Sequence, residues 1–441
     1  MASITVADLR QAEAEERRKE PISNIRVRAL WKHVTAANGR VVGSDTARAR
    51  YRGMIWGTCL VLGGPSLWLT INPVDVHDPI AQIFVGERID LDNFNPHLGP
   101  DSSHCAENIA SNPFAASEYF NFIVNTTLET LFGIKKQGPQ TNSKVGVLGP
   151  LKGYFGVVEA QGRGSFHVHM LLWLANTPNA EEMHEKLQEE CFREQIQTYI
   201  NANVCTHLDD LGEQDIKSML RNSELPYSRP PDPQQADWAE KTHQLECQLV
   251  RSQQVHTCSI GTCLRRINGH FTCKRKAPWP LSDENYVDNR GNWGLKRTYG
   301  YINGYCPLLL TTMRCNNDLK INTNGADTKD VAFYITAYAT KKQNKTHNLS
   351  ALMASAMPYH TANLLYEDIR ERNRLLLYRC INVINRETEL SGPQVASYLM
   401  GYGDTFTSHN YAPLYTSSLF STVRQELLNA SSSLESHEST R

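Results

Sequence analysis

Residues 154–174 read Tyr-Phe-Gly-Val-Val-Glu-Ala-Gln-Gly-Arg-Gly-Ser-Phe-His-Val-His-Met-Leu-Leu-Trp-Leu, two runs rich in β-branched and aromatic residues parted by Gly162-Arg163-Gly164. This pattern predicts a β-hairpin with a glycine-containing loop of about three residues. Side chains alternate along a strand, so His167 and His169 share one face while Val168, Met170 and Leu172 turn toward a core. Such a loop pairs Gln161 with Ser165 and Glu159 with His167, bringing Glu159 and Gln161 to the histidines' face. Two imidazoles and an oxygen donor on one face can hold a divalent cation and leave positions open. Parity does not choose between Glu159 and Gln161 as the third ligand. A His-x-His triplet alone is more often a half-exposed strand; the oxygen-bearing partner strand tips the reading toward a metal.

Around this hairpin, 441 residues with 40% hydrophobic content allow a large core in one elaborate domain or two. Residues 46–62 read as a helix, 67–71 as a strand, and 75–113 as mixed and loop-rich. Residues 115–131 and 180–198 have helical periodicity, the stretch 135–144 reads as a loop, and 208–242, with four prolines, as an irregular connection. Helical patterns return at 327–342, 362–386 and 394–400. Strands and helices mix without βαβ alternation, so the expected class is α+β with a mainly antiparallel sheet and packed helices. The apolar stretch 54–71 is split by Gly63-Gly64-Pro65 and is not expected to span a membrane.

Net charge is −1, which by itself speaks against a nucleic-acid binder, but the distribution is uneven: residues 251–345 hold 15 Lys/Arg against 6 Asp/Glu. A local basic field is what phosphate contact requires. The opening residues 1–20 are charged and lack the apolar centre of a secretory signal, so the eleven cysteines are expected as reduced thiols or metal ligands. Four candidate ligands, His256, Cys258, Cys263 and Cys273, fall within eighteen residues among Arg265, Arg266, Lys274, Arg275 and Lys276. Soft donors of that number suit tetrahedral zinc, although the spacing is not that of a standard finger. Zinc would organise a segment with little apolar core of its own.

Tyr334 and Tyr338 stand four apart, one turn from each other on a helix, with Lys341 and Lys342 following. Alone, such a pair is more often core packing. A phenol becomes a competent nucleophile when a cation polarises the phosphodiester it attacks. No Gly-x-x-x-x-Gly-Lys-Ser/Thr run is present, which excludes an ATP-driven motor of that type within these residues.

His167-Val-His169 with Tyr334-x3-Tyr338-x2-Lys341 downstream resembles the Rep, or HUH (histidine-hydrophobe-histidine) endonuclease, domain of Helitron transposases. The stretch from Pro65 to His77, the hairpin at 154–174, the Cys/His segment through Trp279 and the run 390–401 all carry the likeness, which covers roughly residues 46 to 420. The resemblance implies an HUH-type five-stranded antiparallel sheet, with the metal on one face and a tyrosine helix across it. It also implies a Cys/His zinc-binding segment, a helical C-terminal part, and nicking and strand transfer of single-stranded DNA in rolling-circle transposition. On that basis His167 and His169, with Glu159 or Gln161, hold Mg or Mn, and Zn sits in the Cys/His segment. Tyr334 and Tyr338 are the nucleophiles, and Lys341 stabilises charge at the phosphate. Arg163 and Lys342 join the basic segment in contacting DNA.

The implied organisation is a charged tail or helix at 1–45, the first Rep-like part at 46–240, the zinc segment at 241–285 and the tyrosine-helix part at 286–350. A helical region at 351–430 and a disordered tail at 431–441 complete it. The family adds a helicase after this domain; the expectation here is a truncated element lacking one, with a helicase supplied in trans, acting in the nucleus. A decayed or domesticated DNA-binding module using the basic zinc segment is the competing expectation. The residue before the second tyrosine, often lysine in the family, is Ala337.

Overall fold

The computed structural model of the chain describes residues 3–427 except 138–139, 162–163, 210, 268, 324–332, 334–335, 338–347, 362–367 and 413–418. It divides into a unit of Met1–Ser408 and a unit of His409–Arg441, in which residues 419–427 are helical. The first unit is α+β. Its helices are α1 (Val6–Arg17), α2 (Ile25–Asn38), α3 (Asp45–Leu62), α4 (Pro79–Val85), α5 (Ser102–Ser111), α6 (Pro113–Thr126), α7 (Ala180–Lys186) and α8 (Glu190–Asn203). They continue with α9 (Glu213–Ser218), α10 (Trp238–Leu249), α11 (Pro307–Met313), α12 (Leu349–Thr361), α13 (Ile369–Arg386) and α14 (Gly392–Leu399). The strands are β1 (Leu67–Asn72), β2 (Ile134–Gln137), β3 (Gln140–Ser143), β4 (Leu151–Ala160), β5 (Phe166–Leu174), β6 (Leu264–Ile267) and β7 (His270–Cys273). After them come β8 (Tyr286–Val287), β9 (Trp293–Gly294), β10 (Asn316–Ile321) and β11 (Thr405–Thr407).

Five of these strands form an antiparallel sheet in the order β10-β1-β5-β4-β11. The central hairpin has the expected register: Glu159 lies opposite His167, and the Gln161 amide donates to the Ser165 carbonyl at 2.9 Å. Gly164 closes the loop at φ +88, donating its amide to the Gln161 carbonyl, a conformation that L side chains rarely adopt.

One sheet face is apolar. Leu67, Leu69 and Ile71 of β1 join Val168, Met170 and Leu172 of β5, and pack with Phe120 and Val124 of α6, Ile200 of α8 and Leu309 of α11. Each such side chain contributes about 1.5–3 kcal/mol through burial, before chain entropy is set against it. The other face carries the polar residues and is partly covered by α3. There the Trp173 indole donates to the Gly63 carbonyl at 2.8 Å, and Tyr51 meets Phe155 edge-on at 6.5 Å. The Arg48 guanidinium, fully buried, pairs with Asp404 at 2.7 Å, and the Tyr51 hydroxyl also bonds Asp404. The Val158 amide donates to the Asp404 carbonyl at 2.9 Å, so this clamp grips β4 one residue from Glu159.

A second core gathers Leu9, Val27, Leu30 and Val34 with Met353, Met357, Leu376 and Cys380. It joins α1 and α2, from the 1–45 segment, to α12 and α13. Residues 75–113 are more ordered than the sequence indicates, because caps start short helices: Asp78 accepts from the Ile80 amide at 2.8 Å ahead of Pro79, and Asp101 from the His104 amide at 2.8 Å. The single helix expected over 180–198 is two, α7 and α8. Leu187 is buried at the break, and Arg193 donates to its carbonyl at 2.7 Å in place of a helical amide. The loop expected at 135–144 holds the β2–β3 hairpin, and the connection at 208–242 contains α9 and the start of α10. Of the expected helix at 327–342, only Phe333, Thr336 and Ala337 are described, all helical. The tail 431–441 lies outside the described residues.

Candidate metal centre and cleft

The polar face of the sheet is ordered by register. Asp318 lies opposite Thr70 and Thr70 opposite His169, while Glu159 faces His167 one row away. His167 Nε2 and His169 Nε2 are 3.0 Å apart, and Glu159 Oε2 lies 3.2 Å from the first and 3.5 Å from the second. An ion bonded at ~2.0–2.2 Å holds its ligands about 3–3.6 Å from one another, so the three donors fit one cation. Thr70 Oγ1 sits 2.9 Å from His169 Nδ1, fixing the ring so that Nε2 is presented to the cluster. Burial lowers the His169 pKa against the opposing pull of Glu159, favouring the neutral imidazole that metals take. Of the two oxygen candidates, Glu159 stands within the cluster; Gln161 is exposed beyond the end of β4.

The cluster opens onto a cleft of about 800 Å³. Its floor includes Trp68, Thr70, Asn72, Asp318 and Lys320, and Gln161 reaches its rim. Lys274, Arg275 and Trp279 form the opposite wall, with Trp293 and Arg297 beside them. Asp318 is pushed above the ordinary carboxylate range by burial, against the pull of Lys320, whose Nζ is 3.5 Å away and 4.6 Å from the Trp68 ring centroid. Thr70, Asn72, Asp318 and Lys320 went unread in the sequence. Period-two polarity marks the first pair, in Trp68-Leu-Thr-Ile-Asn72, but not the second, where Asn317 interrupts it.

The wall is built by a second donor cluster. One ligand atom from each of His256, Cys258, Cys263 and Cys273 lies within 4.8 Å of the others, and His256 Nε2 is 3.3 Å from Cys273 Sγ. Tetrahedral zinc with bonds of ~2.3 Å to sulfur spaces its thiolates about 3.8 Å apart, and one nitrogen with three sulfurs suits it. The β6–β7 hairpin pairs Leu264 with Cys273, and the Lys274 amide donates to the Cys263 carbonyl at 2.7 Å, bringing these thiols together. Burial opposes a Cys273 thiolate, yet the amides of Ala277 and Arg275 and the neighbouring thiols outweigh it and lower its pKa. The His256 ring lies 6.1 Å from that of Trp279, linking this cluster to the cleft.

Among the residues expected to touch DNA, Lys274 and Arg275 line the cleft. Lys276 is exposed beside them, and Arg265 and Arg266 are exposed on β6 outside the lining. Tyr334, Tyr338, Lys341, Lys342 and Arg163 lie outside the described residues. Phe333 packs its ring 5.7 Å from Trp56 of α3, with the Arg52 guanidinium 5.5 Å above it.

These features define an α+β protein with a histidine–carboxylate centre facing a Cys/His cluster across one cleft. Residues 1–172 match the family model described as the Helitron helicase-like domain at N-terminus, and over that stretch the chain is similar to a Helitron helicase-like N-terminal region. The matched stretch holds Glu159, His167 and His169; the Cys/His segment follows it. The match points to a role associated with rolling-circle transposons. A search of the curated proteins found no match. Among the described residues, no helix is long and apolar enough to cross a membrane.

Proposed function

We propose that the chain nicks single-stranded DNA and transfers the cut strand by metal-dependent tyrosine chemistry, as a Rep-type domain of a rolling-circle element. The observation that carries this is the convergence of Glu159, His167 and His169 with Lys274, Arg275 and Trp279 on one cleft. Mg or Mn held by the first three would polarise the scissile phosphate's oxygens. Thr70 orients the His169 imidazole, while Lys274 and Arg275 hold the strand by its phosphates and the half-buried Trp279 ring supports a base. The phenolic oxygen of Tyr334 or Tyr338 attacks phosphorus, its proton leaves to solvent or a nearby base, and the P–O3′ bond breaks as the departing 3′ oxygen takes a proton from solvent. A 5′-phosphotyrosine and a free 3′-hydroxyl result. The other tyrosine remains for strand transfer, and Lys341 contributes positive charge.

Zinc in the Cys/His cluster would set the wall carrying Lys274 and Arg275. A helicase acting in trans and a nuclear site of action belong to this reading. Its test is a covalent adduct with a labelled oligonucleotide pool in Mn or Mg, abolished in the Tyr334→Phe/Tyr338→Phe double variant. Absence of any adduct across the pool overturns it. Exposed Arg265 and Arg266, outside the cleft, favour a second reading as a DNA-binding module that does not cut. Binding would then survive His167→Ala and fail on zinc chelation.

A further inference from the structure

The segment that walls the cleft also reaches beyond it. Between Glu246 and Asp283 the sequence holds six Lys/Arg and no carboxylate. Within that stretch β6 and β7 pair Leu264 with Cys273, Arg265 with Thr272, Arg266 with Phe271 and Ile267 with His270, and the turn passes through Gly269 at φ +85. Every described residue from Arg265 to Thr272 is exposed, so this hairpin has solvent on both faces. A lone two-stranded hairpin is marginal in water. This one is pinned at its base, where Cys263 and Cys273 belong to the Cys/His cluster and Lys274 and Arg275 line the cleft. At ~3.3 Å per residue, Phe271 stands about 7 Å beyond that base.

Packing does not account for Phe271. Its ring shares a strand face with Arg266 directly opposite and with Cys273 two residues on. Among the described residues no ring contact involves Phe271, and no ion pair involves Arg265 or Arg266. A stable protein interface covers roughly 800 Å² per partner, far more than Ile267 and Phe271 offer. A membrane surface calls for a continuous apolar face. An intact duplex keeps its base faces inside the stack and leaves the ring nothing flat to meet. An unpaired strand supplies both counterparts, phosphates for the guanidinium groups and an open base face for the ring. The hairpin is also continuous with the cleft, because Lys274 and Arg275 directly follow β7.

We propose that the β6–β7 hairpin extends the single-strand track beyond the cleft, with Phe271 stacking on an unpaired base and Arg266 holding a neighbouring phosphate. This rests on the reading that a single strand lies in the cleft, not on its being cut. The test is fluorescence anisotropy of the full chain with labelled oligothymidines of about 4 to 16 nucleotides, across a salt series, beside a blunt duplex. Flotation with phosphatidylserine vesicles is run in parallel. In Phe271→Ala, affinity for the longest strand should fall about 5–100-fold, while that for the shortest strand and for the duplex stays within about twofold. Phe271→Trp should keep long-strand binding and Phe271→Leu should lose it, since apolar bulk without a flat ring cannot stack. Arg266→Ala should lower the log–log salt slope for long strands by about 0.7. If the alanine chain fails to fold, leucine against tryptophan decides. Unchanged long-strand binding overturns the proposal, as do equal losses at every length or full binding with leucine. Dependence on Phe271 that shows on vesicles and not on strands overturns it too. A parent chain that binds no single strand overturns the reading of the cleft as well, which tells the two failures apart.

Discussion

The two donor clusters flanking the cleft are held in opposite ways. Glu159, His167 and His169 stand on strands whose other face is the main core, and their separation follows from hydrogen-bond register. Two donors of the Cys/His cluster, Cys263 and Cys273, stand at the base of a two-stranded hairpin with almost no core: Ile267 and Phe271 are 54% and 59% exposed. In the first, the fold creates the ligand set; in the second, the ion would supply what packing does not. Similar donor distances can therefore arise from different sources of order.

The comparison breaks most visibly on metal removal. Structural zinc stabilises small segments by about 10–16 kcal/mol, so chelation should abolish hydrogen-exchange protection across 256–279 and leave that of β4 and β5 intact. Protection unchanged at the Cys/His segment would remove the contrast. The sheet should instead depend on its buried ion pair. Arg48→Ala leaves Asp404 buried without its guanidinium and should cost about 3–5 kcal/mol in chemical denaturation; a loss under about 1 kcal/mol would show that α3 does not clamp β4 in this way. A finer probe is Thr70→Val, which keeps shape and removes the hydroxyl at His169 Nδ1. Mn affinity at the sheet centre should weaken about 10–100-fold by calorimetry with little change in melting, and equal affinity would deny Thr70 its orienting role. Smallest is Phe271→Ser on the exposed hairpin, expected within about 0.5 kcal/mol of the parent. A larger loss would reveal a core there after all.

The sequence disclosed what is local. Alternation and a glycine loop were enough for the β4–β5 hairpin, its register and the parity of Glu159, and close spacing was enough to group the Cys/His donors. Strand β10 stayed hidden because Asn317 occupies a core-facing position, its side chain accepting the Cys306 amide at 2.7 Å, which defeats the apolar alternation. Strand β11, three residues long, offers no period at all. The short α4 and α5 were announced only by their caps, Asp78-Pro79 and Asp101. The cleft itself was out of reach, since it forms where residues 262–297 meet a sheet whose hairpin ends a hundred positions earlier, as was the Arg48–Asp404 pair.

The strand order has a consequence for biosynthesis. The hairpin and β1 are made within the first 174 residues, yet their outer neighbours are β10 and β11, the last ending at Thr407. At ~5–20 residues per second, a ribosome spends roughly 10–50 s between β5 and β11. For that interval the nascent hairpin has open hydrogen-bonding edges, a template for pairing with other chains. The stretch 1–172 made alone should therefore aggregate, and the sheet should complete only after β11 is made.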